Sequence, residues 1–186
     1  MMTKIKSMKI VKLISPFLLS TSGLFFSPST YAQQTDNPNF FTGQPPVFVG
    51  AQTPDPTINW PNAHYYFTFH LPNNSIESLG KVTIQQQQNV NVIPVNISST
   101  YAFIGTQGNV GKPLTIQTTQ EPQTQAVTVV FDPPVPPGTT FSVRLEAFRN
   151  PPDDDTYLYS VTAFPAGDNA TGLPMGVGRL SFYRLF

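Results

Sequence analysis

Apolar and polar residues alternate with a period of two through most of the chain beyond Pro45, the pattern of strands that bury one face and wet the other. In His64 to Leu71 the residues Tyr65, Phe67, Phe69 and Leu71 share one face, and His64, Tyr66, Thr68 and His70 share the other. Lys81 to Gln87 sets Val82 and Ile84 against Thr83 and Gln85, and Ala126 to Phe131 lines up Val127, Val129 and Phe131. Thr140 to Phe148 is the cleanest case: Phe141, Val143, Leu145 and Ala147 point one way, Ser142, Arg144 and Glu146 the other. Val47–Val49, Ser99–Ile104, Thr156–Phe164 and Gly178–Tyr183 are further strand candidates.

Turn residues punctuate these runs at Pro72-Asn73-Asn74, Gly108 to Gly111, Pro165 to Gly167 and Gly172 to Gly176. Asp132 to Gly138 (DPPVPPG) reads as a stiff connector, with Pro137-Gly138 suited to the middle of a type II turn. No window carries a capped helical period. The pattern predicts an all-β domain: an immunoglobulin-like antiparallel β-sandwich of about eight short strands, with a small closed β-barrel as the alternative.

Ahead of the alternation the chain changes character. Lys4, Lys6, Lys9 and Lys12 form a basic start without an acid, Leu13 to Phe26 is largely apolar, and Ser27 to Ala32 is short and helix-breaking. Thr30 and Ala32 occupy the small positions that a signal peptidase reads. The expectation is a secretion signal over residues 1–32, cleaved after Ala32. A membrane anchor would need about 20 apolar residues, more than this run supplies. Residues 33–44 read as a flexible leader, and 45–186 as a single β-sandwich domain.

Loss of the signal shifts the charge balance. Six basic residues then face ten acidic ones, a net charge of −4. Lys81, Lys112, Arg144, Arg149, Arg179 and Arg184 are scattered singly, so no basic stripe exists to neutralise phosphates, and nucleic acid is excluded as a partner. Charged residues are 11% of the chain, against about 25% in ordinary soluble proteins. Gln, Asn, Ser and Thr supply the surface polarity instead. The absence of cysteine rules out a thiol-linked lipid anchor and a cysteine nucleophile.

Several stretches carry a family resemblance in consistent order. They are His64-Tyr65-Tyr66-Phe67-Thr68-Phe69, Lys81-Val82-Thr83-Ile84-Gln85-Gln86, Ala102-Phe103-Ile104-Gly105-Thr106, and Phe131-Asp132-Pro133-Pro134-Val135-Pro136-Pro137-Gly138. Arg149-Asn150-Pro151, Tyr157-Leu158-Tyr159-Ser160-Val161-Thr162-Ala163-Phe164-Pro165 and Gly176-Val177-Gly178-Arg179-Leu180-Ser181-Phe182-Tyr183 complete the set. Together, over about Pro45 to Tyr183, they resemble a cyanobacterial secreted family catalogued as domain of unknown function 2808. The resemblance implies an exported all-β protein and brings no catalytic residues with it. The acidic turn Asp153-Asp154-Asp155 departs from that family's pattern.

Candidate chemistry is sparse. His64 and His70 share a strand face but lie roughly 20 Å apart along it, too far to ligate one metal. No Gly-x-Ser-x-Gly elbow is present. Glu146, beside Arg144, is the main acid placed on a strand. Asp153, Asp154 and Asp155 could together offer carboxylate oxygens to Ca²⁺, the one metal site and cofactor the sequence suggests. Tyr66, Tyr101, Tyr157 and Tyr159 could form a stacking platform, with core packing as the competing reading, and Trp60 reads as a cap over the sandwich edge. Phe186 invites comparison with outer-membrane barrels, but Arg184 would then face lipid at a cost. The reading is an exported cell-envelope protein, periplasmic or extracellular, that serves as a non-enzymatic binding or structural module. Its partner would be an envelope protein or a glycan. A carbohydrate- or Ca²⁺-binding module of a surface assembly is the alternative, and a hydrolase the third possibility.

Overall fold

The computed structural model describes residues 39–89 and 91–185. The segment read as a secretion signal, its cleavage position Ala32, residues 33–38 and Phe186 lie outside the described residues. Among the described residues no helix is long and apolar enough to cross a membrane.

Ten strands are present: β1 (Val47–Gln52), β2 (Pro61–Leu71), β3 (Leu79–Gln86), β4 (Tyr101–Thr106), β5 (Asn109–Leu114), β6 (Ile116–Gln120), β7 (Val127–Val135), β8 (Thr139–Arg149), β9 (Asp155–Pro165) and β10 (Leu173–Phe182). They form two five-stranded sheets, one in the order β1-β2-β8-β4-β5 and the other β10-β9-β3-β7-β6. Every named pairing is antiparallel. The architecture is the expected immunoglobulin-like sandwich, open at its edges and not a closed barrel. Two strands exceed the expected eight. β5 and β6 were hidden because they lie at sheet edges, bury no residue fully, and so lack the apolar alternation that marks a strand.

The predicted inward faces are the ones buried. Tyr65, Phe67, Phe69 and Leu71 of β2 face Tyr157, Tyr159, Val161 and Ala163 of β9 across a core completed by β3, β7, β8 and β10. Aromatic rings tie the layers together. Phe67 meets Tyr159 at 5.4 Å and Phe131 meets Phe141 at 5.2 Å, both edge to face between sheets, while Phe69 stacks on Phe141 at 5.1 Å within its own sheet. Burying each such ring stabilises the fold by about 2–3 kcal/mol, and edge-to-face contact adds about 1 kcal/mol.

The proline connector is a correction. β7 continues through Asp132, Pro133 and Pro134 to Val135, so only Pro136 to Gly138 turns. The pairing of β3 with β7 jumps from Lys81↔Val130 to Leu79↔Val135, which leaves the prolines in a bulge where no ladder donor is required. The Asp132–Pro133 peptide is cis. Gly138 has φ +80, as the third position of a type II turn demands, and its N–H donates to the Leu71 carbonyl at 2.8 Å.

The described part of the expected leader, residues 39–44, lies against the sandwich. The Asn39 N–H donates to the Asn169 carbonyl, the Thr171 N–H to the Asn39 carbonyl, and Ser75 Oγ to the Gln44 carbonyl. Phe41 packs against the core and Phe40 is exposed.

Candidate functional site

The outer face of the first sheet carries the ionisable residues singled out by the sequence. His64 and His70 both project there, and each has a different partner. The His64 ring lies 3.8 Å from Asp55 through Nδ1 and 3.5 Å from Glu146 through Nε2. His70 Nδ1 is 2.9 Å from Thr140 Oγ1. The His64 ring thus lies between two carboxylates, and its backbone N–H donates to Asp55 Oδ2 at 3.2 Å, which ties the Asp55 loop to β2. Glu146 is further engaged by Asn96 Nδ2 at 3.2 Å. Nearby, Ser142 Oγ donates to the Gly105 carbonyl at 2.9 Å, which leaves Thr68 Oγ1 as the donor to Ser142 Oγ at the same distance.

The four tyrosines do not form one platform. Tyr157 and Tyr159 lie in the core, because their positions on β9 have inward parity. Burial drives the Tyr159 hydroxyl well above the ordinary value, with the neighbouring Tyr65 and Tyr157 adding to it. Tyr65 is shifted upward in the same way, first by burial and then by Tyr157 and Asp55. Tyr66 and Tyr101 are outside, flanking Phe103, with Tyr101 stacked on Phe103 at 5.7 Å and the Arg144 guanidinium 5.4 Å from the Tyr101 ring centre. Trp60 is about half exposed, and its carbonyl accepts from the Asn150 N–H.

The acidic turn leads to a concavity at the end of the second sheet. Asp153 Oδ2 accepts from Asn91 Nδ2 at 2.8 Å and Asp155 Oδ2 from Asn89 Nδ2 at 3.3 Å. Two of the three carboxylates thus hold the segment that follows β3. Among the described residues no group of three His, Asp or Glu side chains is arranged to hold a metal ion.

That tethered segment forms one wall of a cleft of about 590 Å³ at the end of the second sheet, and the β6–β7 turn forms the other. Seven of its ten lining residues carry a carboxamide: Gln85, Gln86, Gln87, Gln88, Asn89, Gln123 and Gln125, with Val92, Thr124 and Ser160 completing it. None of the ten is charged. The walls are preset by hydrogen bonds. Gln86 uses both ends, donating to the Asn91 carbonyl at 2.7 Å and accepting from the Ile93 N–H at 2.9 Å. Gln87 Nε2 donates to Ser160 Oγ at 2.9 Å, and Gln125 Nε2 to the Pro122 carbonyl at 2.7 Å. Gln88 and Gln123 are exposed. Such a lining offers many donors and acceptors side by side without a net field. Periodicity along the chain does not reveal it. Its signal was the run Gln85 to Gln88, which breaks the alternation of β3, together with Gln123 and Gln125 some 35 residues later.

An open two-sheet sandwich with a neutral polar cleft at one end defines the class of molecule. Residues 39–182 match the family described as "Protein of unknown function (DUF2808)", and the chain belongs to that family. No curated protein matches the chain. Among solved structures, it is similar to the N-terminal domain of the Streptococcus gordonii adhesin Sgo0707 at 14% identity and TM-score 0.48, over 76% of this chain and 33% of that one. It is also similar to ACE19, the collagen binding subdomain of the Enterococcus faecalis surface protein ACE, at 12% identity and TM-score 0.45, over 75% and 99% of the two chains. An uncharacterized Nocardia farcinica protein with an immunoglobulin-like fold matches at 13% identity and TM-score 0.39, over 72% and 96%.

Proposed function

We propose that this chain is an exported, non-enzymatic binding module of the cell envelope, and that it takes a neutral polyhydroxylated ligand, a glycan segment, in the carboxamide cleft. The observation that carries the reading is the lining of that cleft: seven carboxamides and no charge. A carboxamide presents a donor and an acceptor on one plane, as a sugar hydroxyl does from one oxygen, so the two pair without charge selection. The internal bonds of Gln86, Gln87 and Gln125 pre-order the walls and reduce the entropy lost on binding. Val92, exposed at the rim, supplies apolar surface for a sugar C–H face. Export is supported by the basic start, apolar run and small-residue site of residues 1–32.

Titration calorimetry with neutral oligosaccharides tests the ligand class. Saturable binding should appear, and a Gln88→Ala and Gln123→Ala double variant should weaken it by roughly tenfold or more. Both residues are exposed, so the fold should tolerate their loss. Binding unchanged in that variant would refute the cleft as the site. For export, protein recovered from cells should begin near Gln33, and an intact Met1 terminus would refute secretion through a cleaved signal.

A further inference from the structure

Building on the reading of the cleft as a glycan site, we infer that the site continues out of the cleft along β3, across the outer face of the second sheet. Its ligand is then an extended neutral glycan chain lying along the strands, not a single sugar. Four threonines stand side by side on that face. Thr119 of β6 pairs with Thr128 of β7, Thr128 with Thr83 of β3, and Thr83 with Thr162 of β9. Register makes them one row across four strands, spaced by about 4.8 Å. The row lies directly beyond Gln85 and Ser160, which pair with each other and line the cleft. On the row's far side the Lys81 ammonium sits 4.1 Å from the centre of the Phe164 ring. There a second recess of about 300 Å³ opens between Lys81, Val130, Pro134 and Pro165. Gln87 and Lys81 mark the two ends of the track, roughly 20 Å apart along β3.

The side chains along this track decide the chemistry of the occupant. Along the track the outward residues of β3, β7 and β9 carry one charge, Lys81, with Arg179 at the margin on β10 and Asp132 just beyond Val130 on β7, so no run of cations is offered to a polyanion. An apolar partner would strip water from the threonine hydroxyls and glutamine amides without replacing their hydrogen bonds. A chain with hydroxyls at intervals replaces them, and its C–H faces can rest on the threonine methyls, Val130 and Phe164. β3 is hydrogen-bonded on both sides, to β7 and β9, so the track is rigid before the ligand arrives.

The test uses the full chain and two variants against β-1,4-linked glucose and β-1,4-linked N-acetylglucosamine oligomers, disaccharide through hexasaccharide, by titration calorimetry. Thr83→Val with Thr162→Val removes hydroxyls from the row but keeps β-branched side chains that suit a strand. The hexasaccharide of a recognised sugar should bind roughly tenfold tighter than its disaccharide. The threonine variant should lose about that tenfold for the hexasaccharide and leave the disaccharide unchanged. Gln88→Ala with Gln123→Ala should weaken both lengths. Equal affinity for short and long oligomers, or equal losses in the threonine variant, would overturn the track and leave the cleft standing. No binding by any oligomer of either series would remove both.

Discussion

The Tyr65 hydroxyl donates to Asn150 Oδ1 at 2.6 Å, joining the middle of β2 to the residue that follows β8. Asn150 is almost wholly buried and spends its other groups on a single loop. Its Nδ2 donates to the Asp55 and Thr57 carbonyls at 2.5 and 2.7 Å, and its N–H donates to the Trp60 carbonyl at 2.8 Å. Asn150 therefore helps hold the β1–β2 loop onto the end of the sandwich, beside the backbone bonds of Tyr183 to Pro56 and Ile58. Asn150→Ala strands the Tyr65 hydroxyl and two carbonyls, and should destabilise the protein by about 3 kcal/mol in denaturant unfolding. Hydrogen exchange should show the largest loss of protection between Thr53 and Trp60.

Tyr65 and Tyr159 should respond oppositely to removal of their hydroxyls. Tyr65→Phe deletes a buried hydrogen bond and leaves Asn150 Oδ1 without its donor, at a cost of about 1–2 kcal/mol. The Tyr159 hydroxyl is buried with no partner among the described residues. Tyr159→Phe should leave packing intact and raise stability by about 1 kcal/mol. Thermal unfolding of the two variants, side by side, reads the signs directly.

Those same hydroxyls set the alkaline limit of the fold. Burial holds both above the ordinary tyrosine value of 10.0 in the folded state. Below about pH 10 the folded and unfolded chains both keep these protons, and the contribution is intact. Above it the unfolded chain releases them while the folded chain retains them, so stability falls by about 1.4 kcal/mol per pH unit per tyrosine. Stability measured from about pH 8 to about pH 11.5 should therefore turn downward near pH 10, and Tyr159→Phe should halve the slope. On the acid side, the Thr42 hydroxyl bond holds the exposed Glu77 carboxyl below its usual range, so that contribution fades as pH falls through the folded value.

Two bulge glycines separate steric from torsional strain. Gly105 has φ +106, and a Cβ there would sit 2.1 Å from the Asn109 carbonyl oxygen. Gly176 has φ +111 as well, but a Cβ there meets nothing within 4 Å. Gly176→Ala should cost about 1 kcal/mol from torsion alone. Gly105→Ala forces backbone apart in the β4–β5 hairpin and should cost about 3 kcal/mol or more.

Millimolar calcium should leave the melting temperature unchanged, since among the described residues no three acidic side chains converge on one point. Asp153→Ala should instead remove an anchor of Asn91, whose carbonyl holds Gln86, and weaken oligosaccharide binding several-fold with little change in melting temperature. A calcium-dependent rise in melting temperature, lost in Asp153→Ala, would restore the metal reading of this turn.

The inward and outward faces of β2, β3, β8 and β9 were legible before any coordinate, because side-chain direction in a strand depends only on parity. Parity placed His64 and His70 on the wet side of β2 and Arg144 and Glu146 on the wet side of β8, and it would equally have placed Tyr157 and Tyr159 inside. Turn chemistry was legible where a torsion demanded it, as at Pro137-Gly138. Neighbourhood was not. Gln85 to Gln88 and Gln123 to Gln125 share a cleft only because β3 lies beside β7, and Thr119, Thr128, Thr83 and Thr162 form a row only because three pairings fall in register. Likewise Asp55 meets His64 only because the β1–β2 loop folds back onto β2. Periodicity is a property of one segment and survives without the rest, whereas pairing and register are chosen by the whole core as it packs.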